Sequence, residues 1–89
     1  MDRLELVPEL SQCIETLARN EYRETLRRLL AGETDKELTE KSEILREFIE
    51  TTDLKKLRRQ SEKHLVQGKR VKFVVSREGR KVKHEMRVE

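Results

Sequence analysis

The string KRVKFVVSREGRKVKHEMRV, residues 69–88, decides the fold class. Val71, Phe73 and Val75 alternate with Arg70, Lys72 and Val74, and after Arg77-Glu78-Gly79-Arg80 the residues Val82, His84, Met86 and Val88 alternate again. A period of two belongs to a strand with one covered face, so the stretch predicts an antiparallel β-hairpin over 69–88. A two-residue turn at Glu78-Gly79 sets Val75 opposite Val82, Phe73 opposite His84 and Val71 opposite Met86, with Lys72 facing Glu85 on the other side. Glu-Gly is a weaker turn signal than Asn-Gly, which leaves the register open. A lone hairpin is marginal in water, so this apolar face must lie against helices or against another chain.

Upstream of residue 69 the period is helical. Asp53 is placed to cap a helix over 53–67 that carries Leu54, Leu57, Ser61, His64 and Leu65 and stops at Gly68. Thr34-Asp35-Lys36-Glu37 has the capping-box pattern, with Thr34 as N-cap, and opens a helix over 34–50 bearing Leu38, Ile44, Leu45, Phe48 and Ile49. The region 8–31 starts at Pro8, which suits a first helical position. Its large apolar residues fall in two sets: Leu10, Cys13, Ile14 and Leu17, then Tyr22, Leu26, Leu29 and Leu30. The two stripes point in different directions, so this region is expected to kink or split near Asn20. Three helical regions followed by a hairpin packed on them make one α+β domain over residues 1–89.

Composition bounds the rest. Of 89 residues, 44% are charged and 34% hydrophobic, so the core is thin and the surface highly charged. The start Met1-Asp2-Arg3-Leu4-Glu5 does not resemble a signal peptide, and no apolar run is long enough for a membrane span. Cys13 is the only cysteine, so an intrachain disulfide is impossible, and a reducing, cytoplasmic setting is expected. The abundance of Glu, Lys and Arg beside scarce Asn, Gln, Cys and Met resembles the bias of heat-adapted proteins.

Candidates for chemistry are few. Cys13 lies on the first apolar stripe, with Glu9 and Glu15 nearby and no basic residue within one helical turn. His64 and His84 lie on apolar faces, and the chain lacks a metal-ligand spacing such as CxxC or HExxH. Ser61 and His64 share a helix face without a third member or an oxyanion hole. The three glycines, Gly32, Gly68 and Gly79, are each accounted for by a cap or a turn, which leaves none for a phosphate loop. These absences predict a protein without an active site, a metal or a cofactor. No motif ties the chain to a known family.

One feature stands out. Residues 1–52 carry 8 Lys and Arg against 13 Asp and Glu, a net of −5, whereas residues 53–89 carry 13 against 5, a net of +8. Three readings follow. The two halves can neutralise one another across the fold. The basic half, with Lys55, Lys56, Arg58, Arg59, Lys69, Arg70, Lys72, Arg77, Arg80, Lys81 and Lys83, can form a phosphate-binding face for a nucleic-acid backbone. Against that, the hairpin offers only Phe73 for base stacking, on the face assigned to the core. Alternatively, the hairpin face of Val71, Phe73, Val75 and Met86 can dock on a protein partner or a second copy. The expectation adopted is a noncatalytic protein-interaction or adaptor domain able to self-associate, with nucleic-acid backbone binding as the alternative.

Overall fold

The structure, a computed structural model, describes residues 3–89; Met1 and Asp2, which begin the stretch judged unlike a signal peptide, lie outside the described residues. Six elements follow in order: β1 (Arg3–Leu6), α1 (Ile14–Leu30), α2 (Lys36–Thr51), α3 (Leu54–Leu65), β2 (Val71–Glu78) and β3 (Lys81–Val88). The architecture is α+β, with the hairpin packed on three helices, as the alternation of residues 69–88 predicts. The sheet has a third strand that the sequence reading lacks. Leu4 and Leu6 alternate with Arg3 and Glu5, and β1 pairs antiparallel to β2 from Arg3↔Ser76 to Leu6↔Phe73. The strand order is therefore β1-β2-β3, with β2 in the middle.

The β1 strand displaces the expected start of the first helix. Pro8 is buried and precedes a tight turn in which Glu9 and Gln12 exchange both backbone hydrogen bonds, at 2.9 and 3.0 Å. Cys13 is then the extended N-cap residue and α1 begins at Ile14. The helix runs unbroken for 17 residues past Asn20, so it is not split. Its inward stripe passes through Ile14, Ala18 and Thr25, all buried, and the two small residues join the two sets that the large side chains alone set apart. The Thr25 hydroxyl is satisfied in place, donating to the Glu21 carbonyl at 2.7 Å. Leu10 and Leu30, counted as stripe members by size, are 63% and 88% exposed.

The N-cap of α2 is Asp35, not Thr34; its carboxylate accepts from the Glu37 N–H at 2.9 Å. Glu37 is thereby one position too early to reach back, and the capping box gives way to a simple Asp cap. Asp53 caps α3 as its position implies, accepting from the Lys56 N–H at 3.1 Å. Gly68, at φ +80°, ends α3: its N–H bonds the Leu65 carbonyl and the Lys69 N–H bonds the His64 carbonyl.

The hairpin turn sits at Gly79-Arg80, with Glu78 opposite Lys81. Gly79 has φ +61° and Arg80 does not have positive φ, the pattern of a type II′ turn, which wants glycine first. The expected turn put glycine second, where Glu78 would have needed positive φ as well. The resulting pairs are Val71↔Val88, Phe73↔Met86, Val75↔His84 and Arg77↔Val82. The correction moves each partner by two residues, so every side chain keeps the face expected of it.

Buried residues from all six elements but β3 form one cluster: Leu4 and Leu6, Ile14 and Ala18, Ile44, Leu45 and Phe48, Leu54 and Leu57, and Val71, Phe73 and Val75. Among the described residues no helix is long and apolar enough to cross a membrane.

Candidate interaction surfaces

The apolar face singled out for docking belongs to the core. Val71, Phe73 and Val75 are each at most 1% exposed, because β2 is the central strand and the helices close its inner side. Only Met86, on β3, stays partly accessible. A third strand at Leu4 and Leu6 turned β2 from an edge into a centre, and that is what the hairpin alternation alone could not reveal.

β3 is different. It pairs with β2 along all eight residues and, among the described residues, has no strand on its other side. Arg70 and Glu89 exchange both backbone bonds, so alternate pairs down to Glu78↔Lys81 are the hydrogen-bonded ones. The N–H and C=O groups of Val82, His84, Met86 and Val88 consequently point to the open edge. Their side chains lie on the inner face and are incompletely covered: Val82 and Met86 are half-buried, Val88 is 38% exposed, and His84 is exposed, its ring in an edge-type contact with Phe48 at a centroid distance of 5.8 Å.

The cations divide into two groups. Arg77 reaches Glu43 and Glu47 of α2 at 3.9 and 3.8 Å; Lys72 reaches Glu5 at 3.7 Å, Lys83 reaches Glu78 at 2.7 Å and Arg58 reaches Glu62 at 2.9 Å. Lys72 and Arg77 thus neutralise acids of the other half, whereas Lys83 and Arg58 pair inside the basic half, within the hairpin and within α3. In the other group, Lys55, Lys56, Arg59, Lys69, Arg70, Arg80 and Lys81 have no carboxylate within 4.0 Å among the described residues. On α3, at about 100° per residue, Lys55, Lys56, Arg59 and also Lys63 fall on the arc opposite buried Leu54, Leu57 and Ser61. Within the hairpin, Lys72, Arg77 and Lys83 are already engaged by carboxylates.

Cys13 departs from its expected surroundings. It lies at the helix N-terminus, partly exposed, with its thiol 3.4 Å from the Thr16 hydroxyl. Burial pushes the thiol up, but the Thr16 hydrogen bonds and the Arg58 guanidinium outweigh it and hold the thiol below its usual value. Arg58 arrives from α3, 45 positions along the chain, so no local pattern could show it. Ser61 and His64 do not form a pair; the buried Ser61 hydroxyl donates to the Arg58 carbonyl at 3.0 Å. Among the described residues no three His, Cys, Asp or Glu side chains are grouped to hold a metal.

Two open clefts flank the sheet. One of about 690 Å³ lies between Val7, Pro8 and Leu10 and the start of β2 at Lys69, Arg70 and Lys72. The other, about 480 Å³, is lined by Glu5, Glu21, Asp35, Glu37 and Lys41 among others. Neither is lined by Cys13, His64 or His84.

A protein-family model matches residues 3–89. The chain belongs to that family. The match covers every element from β1 to β3. No curated protein and no solved structure matches the chain.

Proposed function

We propose that the protein is a noncatalytic interaction domain that accepts an extended segment at the open edge of β3. The observation that carries this is the edge itself: an eight-residue strand with outward N–H and C=O groups and a half-covered apolar inner face. An added strand would satisfy the backbone groups by main-chain bonds, and alternate side chains would cover Val82, Met86 and Val88. A cytoplasmic setting, suggested by the single free cysteine, is part of the same proposal.

Nucleic-acid backbone binding is the second reading, and the α3 cations Lys55, Lys56, Arg59 and Lys63, without a carboxylate partner among the described residues, favour it. It places the contact on a helix rather than on the hairpin.

One experiment separates them. A displayed library of extended peptides is selected against the wild-type protein, and the binders are tested on H84P and H84A. The His84 N–H points to the open edge, so proline there removes an edge donor and leaves the ladder to β2 intact. Binders retained by H84A and lost by H84P are expected. Binders indifferent to H84P would sink the edge reading. Salt-sensitive capture of an oligonucleotide, abolished by replacing the four α3 cations with glutamine, would put the second reading first.

A further inference from the structure

The outward face of β3 carries, in order, Lys81, Lys83, Glu85, Arg87 and then Glu89, each facing away from the helices. Charges on an edge strand ordinarily discourage pairing. Whether they do so here depends on what they meet in the partner strand. When the partner is the same strand running antiparallel, each choice of central residue fixes every facing pair.

Centring on Glu85 sets Glu85 against itself and Lys83 against Arg87. Centring on His84 matches Lys83 with Glu85 but sets Lys81 against Arg87. A parallel in-register pairing sets every charge against its like. Centring on Val88 opposes Arg87 to Glu89 but overlaps the two strands only at their ends. Centring on Met86 makes every facing charge opposite over a longer overlap: Lys83 meets Glu89, and Glu85 meets Arg87, each twice by symmetry. The same register sets Met86 against Met86 and His84 against Val88 on the inner face, where these side chains are incompletely covered. It also places the outward backbone groups of His84, Met86 and Val88 in the hydrogen-bonded positions, as the Arg70↔Glu89 exchange requires.

We infer that the occupant of the β3 edge is a second copy of this chain, paired antiparallel with Met86 on the two-fold axis. This rests on the edge reading given above and names its partner. The axis runs perpendicular to the sheet, so the two copies form one six-stranded antiparallel sheet, β1-β2-β3 continuing into β3-β2-β1 of the second copy, with all helices on one face. The contact is isologous and closed, and among the described residues it leaves only the short β1 strands as edges.

The test uses charge reversal in the full chain, read by sedimentation equilibrium up to about 1 mM protein. The E85R variant presents arginine to arginine in its own dimer, and R87E presents glutamate to glutamate. Each is expected to weaken self-association by about tenfold or more. Mixed together, the two variants complement at both positions, and a heterodimer as stable as the wild-type dimer is expected. A role of Glu85 and Arg87 confined to their own strand, where they already touch at 3.2 Å, cannot produce that rescue. Circular dichroism of each variant confirms that the monomer is folded. A wild-type dimer indifferent to both substitutions overturns this register, and a monomer throughout overturns self-pairing. In either case retention of H84P-sensitive library peptides leaves the edge itself standing, whereas their loss removes the edge reading too.

Discussion

β2 and β3 are two arms of one hairpin, equal in length and joined by two residues, yet the first is interior and the second is surface. In β2 the residues Val71, Phe73, Val74 and Val75 are all buried, including Val74 on the outer face, which lies between Glu5 on one side and Glu85 on the other. In β3 no residue is fully buried. The difference comes from the neighbours rather than from the hairpin: β1 covers one flank of β2 and β3 covers the other, while among the described residues no strand lies on the free flank of β3. A strand's alternation reports which face is apolar; its place in the sheet decides how much of that face is removed from water.

Substitutions at facing positions quantify the contrast. The largest effect belongs to Phe73→Ala, which empties a fully buried site at the centre of the core; a loss of about 3–5 kcal/mol is expected from urea unfolding. The partner across the ladder, Met86→Ala, is expected to cost only about 1 kcal/mol in the monomer, since the side chain is half-covered there. Equal losses at the two positions, measured below the association range, would show that β3 is covered as well as β2 and would erase the comparison. The smallest effect is that of Arg77→Ala, which releases the hairpin from Glu43 and Glu47 of α2. These contacts are long and partly exposed, so about 0.5 kcal/mol is expected, fading at high salt. A larger, salt-independent loss would mean that the guanidinium anchors the hairpin by packing and not by charge.

The sequence shows the α+β class, the three helices and both hairpin strands because each has a clear period. It conceals what depends on small or distant residues. Ala18 and Thr25 carry the α1 stripe, and neither is marked by hydrophobic size. β1 is only four residues long, too short for Leu4 and Leu6 to establish a period against their surroundings. Its omission is what made Val71, Phe73 and Val75 look available to a partner. The charge asymmetry is legible as composition, but its division into engaged and unengaged cations is a matter of which acid is near: Arg77 finds α2, whereas Lys55, Lys56 and Arg59 find no carboxylate among the described residues. The open edge of β3 is likewise a property of strand order, which no local pattern states.

The pairing of Arg3 with Ser76 has a consequence for how the molecule is made. Ribosomes extend a chain at about 5–20 residues per second, so β1 emerges several seconds before the strand it needs has been synthesised. The helices and the hairpin are built from contacts close in sequence and can form as they appear, whereas closing β1 onto β2 joins positions as far apart as Arg3 and Ser76. The strand translated first is therefore the one that docks last, and until it does, the strand destined for the centre of the sheet is an edge.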